Sequence, residues 1–121
     1  MNTEKIISIA VNALNDKKAM NISAMEVGEL TVIAECFIIA TATSNTHVRA
    51  LADIVEEKLS EAGFEPTHVE GKATGWILLE YSGVVIHIFT RDTREYYNLD
   101  RMWDDAAKID LENILTSARE E

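Results

Sequence analysis

Between residues 76 and 89 the chain reads Trp76-Ile77-Leu78-Leu79-Glu80-Tyr81, then Ser82-Gly83, then Val84-Val85-Ile86-His87-Ile88-Phe89. Two apolar runs of strand length separated by two turn-forming residues specify a β-hairpin. The short turn also sets the register. With Tyr81 opposite Val84, Leu79 falls opposite Ile86, Leu78 opposite His87, Ile77 opposite Ile88 and Trp76 opposite Phe89. Side chains alternate across the pleat, so Trp76, Leu78, Glu80, Val85, His87 and Phe89 share one face and Ile77, Leu79, Tyr81, Val84, Ile86 and Ile88 the other. Both faces are rich in apolar groups, and both need cover. Helices on one side and a partner over part of the other satisfy that requirement.

The remaining chain supplies the cover. Ile6, Ile7, Ala10, Val11 and Leu14 recur at three and four residues, which predicts a helix from about Thr3 to Asp16. Met20, Ile22 and Ala24 alternate as in a half-buried strand over residues 19 to 25. Cys36 to Thr41 is a continuous apolar run too short for a helix, as expected of a central strand covered on both faces. Thr43, Ser44 and Asn45 then form a capping cluster, followed by Val48, Leu51, Ala52, Val55 and Leu59 at helical spacing and Gly63 as terminator. This β-α unit predicts a right-handed crossover to a return strand beginning at Pro66-Thr67-His68-Val69-Glu70. Thr90 to Ala107 reads as a further helix with Tyr96, Leu99 and Trp103 on one stripe. Leu111, Ile114, Leu115 and Ala118 predict a last amphipathic helix. The fold class is α/β, one domain with a mixed sheet of about five strands flanked by helices.

At 121 residues, 47% hydrophobic and 26% charged, the chain has material for one core and no more. Its net charge of −10 disfavours broad contact with phosphate backbones and suits a basic protein partner. Cys36 is the only cysteine, which removes intramolecular disulfides and multi-thiolate metal sites and points to a reduced, cytoplasmic setting. The apolar N-terminal stretch is interrupted by Ser8 and Asn12 and reads as a helix rather than a signal peptide. No apolar run approaches the ~20 residues of a membrane span.

The residues offer little for catalysis. Cys36 lies within an apolar run and reads as core. His47 sits in the first turn of a helix, where capping or solvent exposure is the ordinary role. His87 shares a strand face with Trp76 and Phe89 and fits either a satisfied core histidine or a functional one. The pairs Glu56-Glu57, Asp104-Asp105 and Glu120-Glu121 point apart rather than onto one cation. The glycines stand at turn positions and form no phosphate-cradling loop. No catalytic, metal or cofactor residue is therefore assigned.

Five blocks, in order, resemble the ribosomal silencing factor family, also called Iojap-like. They begin with Cys36-Phe37-Ile38-Ile39-Ala40-Thr41-Ala42-Thr43-Ser44-Asn45-Thr46-His47-Val48, continued by Ala50 to Asp53. Val69-Glu70-Gly71, the two hairpin strands, Arg94-Glu95-Tyr96-Tyr97-Asn98-Leu99 and Met102-Trp103 follow. The chain departs from the family pattern at Glu35-Cys36, Ala42, Glu80 and Ser82-Gly83. The resemblance runs from about residue 4 to residue 107, which makes residues 1–107 one α/β domain and leaves 108–121 as a C-terminal acidic, amphipathic helix or tail.

The resemblance implies a nucleotidyltransferase-like topology without that fold's paired catalytic carboxylates, and a factor that is not an enzyme. It implies binding to the large ribosomal subunit through ribosomal protein L-fourteen, with little direct nucleic-acid contact, which sterically blocks joining of the small subunit when nutrients are scarce. It also implies a homodimer when the factor is free. Alternatives are a large-subunit assembly factor and a nucleotidyltransferase-related enzyme. For partner binding the expected residues are Trp76, Leu78, His87, Phe89 and Tyr96. Trp76, Leu78 and Phe89 fit ordinary core under a helix equally well, and Trp103 reads as core.

Overall fold

The computed structural model describes residues 2–30, 34–71, 75–98, 101, 105–111 and 114. Along the chain run α1 (Asn2–Asp16), β1 (Met20–Glu26), β2 (Cys36–Ala42), α2 (Asn45–Glu61), β3 (His68–Glu70), β4 (Trp76–Tyr81), β5 (Val84–Thr90), α3 (Arg91–Tyr97) and β6 (Ala107–Lys108). The strands form one six-stranded mixed sheet in the order β3-β4-β5-β2-β1-β6. Every residue of the central strand β2 is buried, as its unbroken apolar run demands.

The hairpin register is the expected one, from Tyr81 opposite Val84 to Trp76 opposite Phe89. Ser82 and Gly83 both have positive φ, 49° and 91°, the conformation of a type I′ turn whose twist matches the strands it joins. The carbonyl of Gly83 accepts bonds from the amides of Glu35 and Cys36, which docks the entry of β2 beside the turn.

One face of the sheet is covered by α1 and α2. Ile6, Ala10, Val11 and Leu14 of α1 and Val48, Leu51, Val55 and Leu59 of α2 close over Ile38, Ile77, Leu79, Tyr81, Ile86 and Ile88. The helix α2 starts where Ser44 accepts a bond from the amide of His47 and ends before Gly63, whose φ of 92° favours glycine.

The structure fixes the sheet order, which the sequence leaves open, and differs from the expectation in two features. The strand after α2 is parallel to β2 but does not lie beside it, because β5 and β4 sit between β2 and β3. The crossover leaves a gap of two strands, and the hairpin fills it. The helix expected to run from Thr90 to Ala107 stops at Tyr97, where Asn98 adopts a left-handed conformation and its amide bonds back to the Arg94 carbonyl. Ala107 and Lys108 are not helical but form β6 against Met25 and Glu26, which raises the strand count to six. Leu111 and Ile114 are helical and pack, partly buried, against the core cluster to which α1 contributes. Leu99, Trp103, Leu115 and Ala118 lie outside the described residues.

Candidate functional site

The other face of the sheet carries a second apolar cluster built from Met25, Phe37, Ile39, Val85 and Phe89, with Trp76 and Leu78 packed against it. Alternation along β4 and β5 brings Trp76, Leu78, His87 and Phe89 onto this face together. Trp76 and Leu78 are partly exposed, whereas Phe89 is fully buried and His87 is 4% exposed.

Aromatic rings stack here in series. The rings of Trp76 and Phe89 lie 5.2 Å apart and nearly parallel, and those of His87 and Phe89 lie 5.9 Å apart. Phe37 meets the edge of His87 at 4.8 Å. From α3, Tyr97 caps the stack at 4.5 Å from Trp76. Tyr96 stands beside Tyr97, edge to face at 5.1 Å, and is 82% exposed. Centroid separations of this size are those aromatic pairs prefer.

The indole N–H of Trp76 donates to Nδ1 of His87 at 3.2 Å. An accepting Nδ1 places the proton of the neutral ring on Nε2, and that nitrogen is buried with no hydrogen-bond partner among the described residues. Burial holds the His87 pKa down at about 4, because a charged imidazole would lose its water. His87 is thus a neutral, apolar-packed ring.

Sequence reasoning placed Trp76, Leu78, His87 and Phe89 together correctly. It missed Tyr97 and Phe37. Tyr97 stacks on the site in place of Tyr96, and its signal was Asn98, a residue suited to a left-handed helix end that separates Tyr96 from the stripe with Leu99 and Trp103. Phe37 reaches His87 only through the parallel pairing of β2 with β5, which no local pattern announces.

The other candidates are structural. Cys36 is buried, and burial with nearby Glu26 pushes its thiol up to about 12, so the thiolate is suppressed. His47 accepts the Thr43 amide on Nδ1 at 2.9 Å and places Nε2 2.8 Å from the Lys17 carbonyl, which pins the start of α2 to the end of α1. Among the described residues no three His, Cys, Asp or Glu side chains converge as metal ligands, and no helix is long and apolar enough to cross a membrane. At the opposite end of β2 a cleft of about 1080 Å³ is lined by Glu4, Glu26, Glu29 and Glu35 among others, a setting that repels anions.

The chain matches, over residues 1–121, the family described as ribosomal silencing factor during starvation. It is 34% identical over 117 residues to the ribosomal silencing factor RsfS of Halalkalibacterium halodurans, covering 96% of this chain and all of that one. It is 34% identical over 112 residues to the chloroplastic protein Iojap of Zea mays, covering 87% of this chain and 47% of that longer one. A crystal structure of a Chromobacterium violaceum protein superposes with a TM-score of 0.81 at 34% identity, covering 86% of this chain and 88% of that one. With its whole length matched by one family and a relative covered end to end, the chain belongs to the ribosomal silencing factor (RsfS) family.

Proposed function

We propose that this protein binds the large ribosomal subunit through ribosomal protein L-fourteen and sterically blocks joining of the small subunit under nutrient limitation. Family membership supports the ribosome as partner. The observation that carries the docking surface is the aromatic stack on β4 and β5, capped by Tyr97 and flanked by a Tyr96 that is 82% exposed. Large aromatic groups with one side seated on core and the other open are what protein interfaces use as anchors. Trp76, Leu78, Tyr96 and Tyr97 supply the surface, and the buried Phe89 and His87 support it from beneath. The mechanism is occlusion and requires no bond chemistry, so the protein acts as a binding factor rather than an enzyme. It works in the cytoplasm, where ribosomes join, and forms a homodimer when free. The acidic balance favours a basic protein over RNA as the contact.

A sucrose-gradient experiment with purified subunits tests this reading. The protein should migrate with the large subunit, its prior addition should reduce joining, and Trp76→Ala should abolish both while remaining folded. A protein left at the top of the gradient with joining unaffected would sink the proposal. Binding to immature particles but never to mature subunits would replace it with an assembly role.

A further inference from the structure

The helix α3 has only seven residues, and none of them is buried. Isolated helices of this length are unstable in water, and α3 has no buried apolar stripe to hold it. Its position nevertheless decides where Tyr96 and Tyr97 stand. We infer that Arg94 is the positioning residue of the aromatic face: its guanidinium ties α3 to β1 and β2, and this tie holds Tyr97 against Trp76.

Arg94 Nη1 donates to the Asn21 carbonyl at 2.6 Å and to Thr41 Oγ1 at 2.8 Å, and Nη2 reaches Ser23 Oγ at 3.4 Å. All three acceptors are built into the strands. Thr41 is buried on β2, and Ser23 pairs with Ile39 on the same face. The ladder between β1 and β2 slips by one residue between Met20 and Ser23, and there Asn21 adopts a left-handed φ of 49°. Such a bulge leaves a residue out of the regular pairing, and here its carbonyl serves Arg94. A planar fork with two donating nitrogens spans these acceptors, whereas the single ammonium of lysine does not. Tyr97 follows Arg94 by three residues and so lies on the same side of the helix. The carbonyl of Arg94 also accepts the Asn98 amide that closes the helix, so side chain and backbone of one residue fix both the seat and the end of α3.

The consequence for ribosome binding rests on the docking surface proposed above; the tie itself does not. The test compares wild type with Arg94→Met, Arg94→Lys and Thr41→Val by amide hydrogen exchange, by the nuclear Overhauser contact between the Tyr97 and Trp76 rings, and by large-subunit affinity. In Arg94→Met the ring contact should vanish and α3 amides should exchange at least roughly tenfold faster while β2 and β5 keep their protection. Affinity should fall about tenfold, with Arg94→Lys and Thr41→Val intermediate. Unchanged ring contact and α3 protection in Arg94→Met would overturn the inference, as would an equal loss of protection across the sheet. Should Arg94→Met not fold, Thr41→Val decides by the same two readouts. Wild type that fails to bind the subunit would refute the docking surface, while ring contact and exchange still decide the tie.

Discussion

Trp76 bonds diagonally across the hairpin to His87. The residue directly opposite Trp76 is Phe89, and the one opposite His87 is Leu78, yet the indole N–H reaches His87 Nδ1 at 3.2 Å. Diagonal neighbours on one face of an antiparallel pair are within reach of large side chains. The bond commits the polar edge of Trp76 to the protein, so the indole presents an apolar surface held at a fixed tilt.

The neutral state of His87 makes stability depend on pH. Burial lowers its pKa in the folded state to about 4 from the ordinary 6.5. Between these values the unfolded chain binds a proton that the folded chain refuses, so the contribution is complete above pH 6.5 and is lost as pH falls toward 4. That interval corresponds to roughly 3 kcal/mol. Urea unfolding of wild type and His87→Phe at pH 7.5 and 4.5 should show the smaller acid loss in the variant. His47 and His68 are present in both proteins and cancel. Equal acid losses would mean that His87 is solvated in solution.

In the proposed docking surface the ring of Trp76 is the anchor, while its N–H orders the face through His87, and two substitutions separate these roles. Trp76→Phe keeps an aromatic ring against Phe89 and Tyr97 but leaves both nitrogens of His87 unpaired, at a stability cost of about 1 to 2 kcal/mol. Its subunit affinity should change little. Trp76→Ala removes the anchor and should weaken large-subunit binding on the order of 30-fold or more. Equal affinities for the two variants would remove the Trp76 ring from the interface.

The hairpin was legible down to its register because a two-residue turn allows one pairing and every later contact follows from it. The strand β2 was legible because an unbroken apolar run has one use in a mixed sheet. The place of β3 was not, since a crossover helix sets the direction of its return strand but not how many strands lie between. Two-residue β6 is too short to carry a periodicity, and its pairing with Met25 and Glu26 is non-local. At the candidate site, alternation grouped Trp76, Leu78, His87 and Phe89, but the depth of each depends on what lies above. The end of α3 was misplaced because the spacing of Tyr96, Leu99 and Trp103 fits a continued helix, and a single left-handed residue at Asn98 overrides it.

Tyr81 offers a stabilising substitution. It is 1% exposed in the core beneath α2, and its hydroxyl is buried with no hydrogen-bond partner among the described residues. A hydroxyl removed from water without a new bond is a net cost to folding. Tyr81→Phe should raise stability by about 1 kcal/mol in chemical denaturation and leave subunit binding unchanged. A loss of similar size would show that the hydroxyl is bonded through buried water.

Gly71 controls the backbone from which Trp76 projects. Its φ is 90°, and a Cβ placed on it would overlap the carbonyl oxygen of Trp76. Gly63 has nearly the same φ, 92°, but a Cβ there would meet nothing within 4 Å. Comparing Gly71→Ala with Gly63→Ala therefore separates the backbone penalty from the steric one. Gly63→Ala should cost about 1 kcal/mol, the ordinary cost of a left-handed conformation for an L-residue. Gly71→Ala adds a collision between two backbone segments that no side-chain rotation relieves, so it should cost about 2 kcal/mol more. It should also shift the indole N–H resonance of Trp76, as the carbonyl it displaces belongs to that residue. Equal costs, with the Trp76 resonance unmoved, would mean that the approach of Gly71 to Trp76 is looser in solution and that the start of β4 is not set by this contact.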